Sequence, residues 1–262
     1  MAERIKYDAC PLCSSPEIRY FHKGDCSMHP LYDSRLSREI IWEYCDKCAH
    51  VFTDGYYTDA ACQLIYSKTN ENQKFGIRYE QNRLISSRIV EKVLPYTTSG
   101  RWLDVGFGNG SLLLTAQEYG FKPLGLDLRK ANVDSLRESG IEGYSVPIEE
   151  LELPSNCSVI SMMDVLEHIP YPRVALKAAY RLMDCNGSLL VSMPNTESYL
   201  WRTMTAQGIN PYWGELEHYH NFSRTRLYQL LTEEGFVPVK YGISERYRIC
   251  MEIVAVKSVM QQ

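Results

Sequence analysis

The sequence predicts an α/β fold in which strands alternate with helices, preceded by a small module held together by cysteines. Three observations predict it. The run Arg101 to Ser111 (RWLDVGFGNGS) places three glycines between a short apolar strand pattern and a helical one. A carboxylate, Asp127, falls at the end of the next strand pattern, 23 residues after Asp104, a spacing suited to one strand–helix–strand unit. Two C-x2-C pairs, Cys10/Cys13 and Cys45/Cys48, stand near the amino end with 31 residues between them.

A chain of 262 residues has room for one full α/β domain and a small module. The net charge of -4 argues against a broad basic surface for nucleic acid. No apolar run reaches membrane-spanning length, and the start MAERIKYDAC has no apolar signal core, so the expected location is cytoplasmic. In a reducing compartment nine cysteines point first to metal.

Taken in order, each C-x2-C pair can form a tight thiol knuckle, and two facing knuckles make a tetrahedral four-sulfur site suited to zinc. Ile40 to Tyr44 alternates like a strand and runs straight into Cys45, as in a zinc ribbon. The metal ligands expected are Cys10, Cys13, Cys45 and Cys48, and a closed four-thiolate site makes this zinc structural. Cys26, His22 and His29 fall in the intervening segment, read here as a loop. Residues 53–61 read as a turn region. Residues 62–66 start a short helix and 70–75 form a linker. Leu84, Ile85, Ile89, Val90, Val93 and Leu94 then mark one face of a helix over 78–94, stopped by Pro95. The expected domains are a zinc-ribbon module over 1–62, a helical linker or lid over 63–95, and the main domain over 96–262 with an insertion at 196–222.

In the main domain, residues 102–105 form the first strand and 111–119 its helix. Glycines at the junction permit a tight turn and close approach of a ligand to the backbone. The second strand, 123–128, carries Asp127 at its carboxyl end, where a carboxylate can accept both hydroxyls of a ribose. Asp104 is placed to orient the glycine loop. A helix over 130–139 closes at Gly140, and a third strand is expected over 144–148. The fourth, 158–163, runs into Asp164-Val-Leu-Glu-His-Ile-Pro170. A helix over 174–183, a turn at Cys185-Asn-Gly187 and a fifth strand over 188–193 follow. The segment after it holds Tyr199, Trp201, Tyr212 and Trp213 at the ligand-binding edge of an open sheet, or else packed on the amino-terminal module. Glu217, His218 and His220 cluster before a helix capped by Ser223, and two strands, 237–239 and 249–256, close the chain.

The glycine run, Asp127, DVLEHIP, Pro194-Asn195 and EHYHNFS occur in an order that resembles class I S-adenosylmethionine-dependent methyltransferases of the small-molecule and glycan type. The resemblance covers residues 66–257. It implies a Rossmann-like sheet whose last two strands form an antiparallel hairpin, and S-adenosylmethionine as cofactor. It places Asp104, Gly106, Gly108, Gly110, Asp127, Leu128, Ile148, Met163 and Asp164 around that cofactor, with Tyr66 and Tyr79 as candidates for a lid. His168 would point towards the methyl group as a base or a positioning residue. The cysteine module and the Glu-His pair are similar in part to deoxysugar C-methyltransferases, which implies a role in substrate deprotonation for Glu217 and His218. Those enzymes carry a further carboxyl-terminal domain with no counterpart in this sequence, so an oxygen acceptor is expected ahead of carbon or nitrogen.

The expected reaction is methyl transfer to a hydroxyl of a sugar or other small hydroxylated metabolite, with His218 or His168 as base. The expected partner is a small-molecule or glycan substrate, with no membrane and no nucleic acid; a homodimer stays open. A metal set of His218, His220 and Glu217 is a weaker alternative. From other classes, a ribbon that recognises RNA or protein lacks a basic aromatic stripe. A nicotinamide-linked oxidoreductase conflicts with the G-x-G-x-G spacing, since the dinucleotide fingerprint sets its third glycine three residues after the second.

Overall fold

The computed structural model describes residues 3–66 and 71–258. The chain forms two compact units that share it in alternation: residues 1–70, 167–172 and 194–227 make the first, and 71–166, 173–193 and 228–262 the second. Among the described residues no helix is long and apolar enough to cross a membrane.

The second unit is built on a seven-stranded sheet in the order Phe236–Ile243, Cys250–Lys257, Met183–Pro194, Cys157–Met163, Arg101–Val105, Lys122–Leu126, Glu142–Tyr144. Arg101–Val105 pairs in parallel with Lys122–Leu126 on one side and Cys157–Met163 on the other. The chain therefore starts in the middle, winds to one edge through Glu142–Tyr144, and returns to wind the other way. That reversal opens a crevice at the carboxyl ends of Arg101–Val105 and Cys157–Met163, where open α/β sheets bind ligands. Phe236–Ile243 and Cys250–Lys257 form an antiparallel pair at the far edge, as the resemblance implied.

Helices Tyr79–Val93 and Ser111–Glu118 bury Ile89, Val90, Val93, Leu112 and Ala116 against Trp102, Val159, Leu190 and Val254 of the sheet. Helix Lys130–Glu138 contributes Val133 and Leu136 to a second cluster with Phe107, Leu113 and Ile141. Two elements depart from expectation. The third strand is Glu142–Tyr144 and stops where residues 144–148 were expected to run. Pro147, with no N–H to give a ladder, precedes a 3-10 turn at Ile148–Glu150. The fifth strand begins at Met183, and the expected turn is a bulge within it: the register slips between Met183 and Ser188, with Asn186 at φ 65°.

The first unit holds a four-stranded antiparallel sheet in the order His220–Asn221, Val51–Thr53, Glu39–Cys45, Ile18–Asp25. Arg4–Lys6 pairs with Gly55–Tyr57 beside it. The segment read as a loop between the cysteine pairs thus contains strand Ile18–Asp25, and the turn region after Thr53 contains Gly55–Tyr57. Trp42 is fully buried and donates its indole N–H to the Trp213 carbonyl at 2.9 Å. A Cβ on Gly24 would sit 1.7 Å from that same oxygen, so this close approach of two backbones requires glycine. Of the rings in the 196–222 segment, Trp201 and Trp213 are buried, and Trp213 lies 4.4 Å from His22 and 5.7 Å from Trp42. Tyr199 is 81% exposed.

Candidate active site

In the second unit the glycine run forms a cradle at the sheet's reversal point. Gly106, Gly108 and Gly110 have φ values of 66°, 55° and 77°. L side chains are strained there, and a Cβ on Gly106 would also come within 2.8 Å of Val165 Cγ2. Gly110 is the N-cap of helix Ser111–Glu118. The Asp127 carboxylate lies beside the loop and accepts from the Gly108 N–H at 3.3 Å. Leu128 follows it, 69% exposed at the strand end, while Ile148 and Met163 are buried. A left-handed glycine loop, an adjacent carboxylate and an exposed leucine suit a nucleoside whose ribose meets Asp127 and whose flat base meets an apolar face.

Three features of this cradle sharpen the sequence reading. Asp104 is buried and accepts from Ser161 Oγ at 2.6 Å, on the neighbouring strand. Burial pushes its carboxyl up to about 6, against the hydrogen bond from Ser161 and the charge of Arg246. Asp164 adopts φ 58° and accepts from Ser192 Oγ at 2.8 Å, which fixes its carboxylate just past the fourth strand. Arg129, which the sequence reading missed, clamps Asp127: Nε meets Oδ1 at 2.9 Å and Nη2 meets Oδ2 at 2.8 Å. Tyr79 is not brought to the glycine run. Its hydroxyl donates to Glu118 at 2.6 Å, at the opposite end of helix Ser111–Glu118, about 10 Å along the axis at 1.5 Å per residue. The side chain of Tyr66 lies outside the described residues.

The first unit gathers the histidines. His168 Nδ1 lies 2.9 Å from the Glu217 carbonyl, which can only accept. In the neutral ring the proton is therefore on Nδ1, and Nε2 carries the lone pair. His218 packs edge-on to His168 with ring centroids 4.7 Å apart. Burial, with the neighbouring His168 charge, holds His218 down at about 3, although Glu215 opposes this, so it stays neutral near pH 7. The sequence neighbours Glu217 and His218 join different groups. His218 lies with Glu167 and His168, and the Glu217 carboxylate lies with His29 and Glu215, each group within 4.8 Å.

His29 takes a hydrogen bond from the Leu31 N–H on Nδ1 at 3.2 Å, so its Nε2 proton faces Glu215 and no ring lone pair is left for a metal. Burial works against the Glu215 carboxylate, but His29, His218 and His168 outweigh it and hold it at about 2. Nothing in the sequence near His29 signals this pairing. The weaker metal set of His218, His220 and Glu217 is not assembled: the ring nitrogens of His220 meet His50 Nε2 at 3.0 Å and the Ile169 carbonyl at 2.9 Å.

The four expected cysteines converge. Their sulfurs all lie within 4.8 Å of one another, with Cys10–Cys48 at 3.6 Å and Cys13–Cys45 at 3.5 Å. Those separations match the roughly 3.8 Å edge of a tetrahedron with ~2.3 Å metal–sulfur bonds. The two knuckles repeat one another. In each, the residue after the second cysteine is left-handed (Ser14 at φ 55°, Ala49 at φ 57°) and donates its N–H to the first cysteine's carbonyl at 2.9 Å. The residue after that returns a carbonyl to the first cysteine's N–H, Ser15 to Cys10 and His50 to Cys45, again at 2.9 Å.

The switch-point cradle on a seven-stranded, hairpin-edged sheet defines a Rossmann-like nucleoside-binding enzyme fold. Residues 77–241 match the family described as methyltransferase domain, and the chain belongs to that family. Two curated relatives are ubiquinone biosynthesis O-methyltransferases. The one from Acinetobacter baylyi is 30% identical over 134 residues (47% of this chain, 56% of that protein). The one from Bordetella bronchiseptica is 32% identical over 128 residues (45% and 53%). The match thus spans about half the length of these relatives. Among solved structures, magnesium protoporphyrin IX methyltransferase from Synechocystis PCC 6803, with bound S-adenosylhomocysteine, superposes with a TM-score of 0.51 at 16% identity, over 78% of this chain and 90% of that one. That identity speaks to the fold alone.

Proposed function

We propose that this chain transfers a methyl group from S-adenosylmethionine to a hydroxyl oxygen of a sugar or other small hydroxylated metabolite, with His168 as general base. When bound, S-adenosylmethionine supplies an electrophilic methyl on a sulfonium sulfur. The left-handed glycine loop, with no Cβ in the way, lets the amino-acid end of the cofactor approach its backbone closely, and Asp127 accepts the ribose hydroxyls. Asp164 and Met163 complete the wall at the fourth strand, and Leu128 and Ile148 serve the base.

The observation that carries the choice of base is the His168 hydrogen bond. With Nδ1–H held by the Glu217 carbonyl, Nε2 can accept the acceptor's hydroxyl proton as the oxygen–methyl bond forms. His218, held at about 3, is too weakly basic for that task and serves instead as the wall against which the His168 ring stands. The relatives named as O-methyltransferases support an oxygen acceptor. Cys10, Cys13, Cys45 and Cys48 hold one structural zinc ion, a closed set with no position open to substrate.

The test is release of S-adenosylhomocysteine across a panel of hydroxylated sugars and phenols, then His168→Ala and His218→Ala on the best acceptor. Turnover should fall on the order of 10²–10⁴-fold for His168→Ala, with the calorimetric affinity for S-adenosylhomocysteine unchanged, and by much less for His218→Ala. Native turnover in His168→Ala would remove it as base.

A further inference from the structure

We infer that His50 and His220 are positioning residues that tie the second cysteine knuckle to the segment bearing His168. The inference rests on His168 being the base, but its geometry stands apart from that role.

His50 is the last residue of the second knuckle, fixed by its carbonyl bond to the Cys45 N–H. Its side chain is buried between the rings of Phe52 (5.9 Å, 7° from parallel), Phe222 (4.8 Å) and His220. The proton order of the pair follows from its end. The Ile169 carbonyl only accepts, so His220 carries its proton on Nε2 and presents a lone pair on Nδ1. His50 must then donate from Nε2, at 3.0 Å, which leaves its own Nδ1 a bare lone pair, buried and with no protein partner. An apolar pair of similar volume would avoid that unmet acceptor, so the two rings are better explained by what they hold than by core packing.

What they hold is one of four consecutive residues, each fixed by a separate bond. The Tyr219 N–H donates to the Glu167 carbonyl at 2.8 Å, and His168 Nδ1 donates to the Glu217 carbonyl at 2.9 Å. His220 holds the Ile169 carbonyl at 2.9 Å, and Tyr7 Oη donates to the Pro170 carbonyl at 2.8 Å. Tyr7 precedes Cys10 by three residues and His50 follows Cys48 by two. Cys10, Cys13, Cys45 and Cys48 would hold the ion, and with both knuckles so joined the spacing of the two side chains that grip 167–170, directly or through His220, would be set. The module would then act as a vice on the His168 segment.

The experiment uses the full chain labelled with ¹⁵N-histidine, reading the His168 tautomer by long-range proton–nitrogen correlation, assigned with His168→Gln. His50→Leu breaks the relay, and His50→Gln keeps an amide N–H able to donate to His220. In His50→Leu the Nδ1–H signature of His168 should give way to mixed tautomers, while bound zinc stays at one equivalent and the affinity for S-adenosylhomocysteine stays within about threefold. His50→Gln should restore the signature. With an acceptor in hand, kcat should fall on the order of 10–100-fold at unchanged KM for S-adenosylmethionine. An unaltered His168 signal in His50→Leu overturns the inference, and so does a matching loss of cofactor affinity, which would mark general unfolding. Should His50→Leu fail to fold, extracting the metal from the native chain with a chelator must produce the same tautomer change, and an unchanged signal there overturns it equally. Because the readout is the ring and not the rate, failure of His168 as base would show only in His168→Ala turnover.

Discussion

Arg129 holds both oxygens that a ribose would need. Its Nε and Nη2 take Oδ1 and Oδ2 of Asp127, its backbone N–H takes Oδ1 as well at 2.9 Å, and its remaining Nη1 bonds Gln73. A ribose binding at Asp127 must compete with this fork. A partly exposed pair of this kind is worth about 1 kcal/mol. Arg129→Ala should therefore tighten binding of S-adenosylhomocysteine roughly fivefold by calorimetry, and weaker binding would show that Arg129 stays in place as a ligand contact. Asp127 itself was legible because strand–helix–strand spacing puts a carboxylate at a known strand end. Arg129 was not, because only geometry shows which way the next long side chain folds. The choice between His168 and His218 was equally hidden. It turns on a carbonyl 49 positions away and on how deeply each ring is buried.

Strand His220–Asn221 and the residue two before it bury two histidines that stay neutral. Burial is the largest cause in both, holding His218 at about 3 and His220 at about 4. An unfolded histidine titrates near 6.5. Between that value and the folded ones, the unfolded chain binds protons that the folded chain does not, so stability falls as pH drops through 6.5. Each residue contributes a loss of about 2 kcal/mol by pH 5. Glu215, held at about 2, adds its own loss only as pH falls further, below the ordinary carboxylate range. These two rings should therefore lower the first unit's melting temperature by roughly 16–32 °C between pH 7.5 and 5, buried His50 adding to the loss, and His220→Gln should remove about half of the share due to His218 and His220. A flat profile over this range would contradict the neutral burial of both rings. The buried strands of the main sheet, such as Cys157–Met163, were legible as short apolar runs between turns. Ile18–Asp25 was not: its pattern is largely exposed, as suits an edge strand, and it shows no apolar alternation.

The chain passes back and forth between its two units, and under the proposed function this division of residues is also a division of labour. Every residue proposed to hold the cofactor, from Gly106 to Asp164, belongs to the second unit, whose core gathers Trp102, Leu112, Val159 and Leu190. The proposed base, its neighbours and the four cysteines all belong to the first. The cysteine spacing announced the four-thiol cluster, but the recruitment of 167–172 and 194–227 to its unit was invisible. Sequence order places those segments inside the main domain, and only tertiary pairing, such as His220–Asn221 with Val51–Thr53, moves them out. If the thiols gathered within 4.8 Å share the proposed zinc ion, the first unit depends on it for stability, as small metal-held modules do. Cys45→Ser should thus lose the zinc equivalent and at least about 3 kcal/mol of stability, lowering the first unit's melting transition by roughly 12–24 °C. The transition of the second unit should still rise with added S-adenosylhomocysteine, and its affinity should stay within about threefold of native, while methyl transfer is lost. Collapse of cofactor affinity together with zinc would instead make the two units one cooperative body, and the division of labour would be wrong.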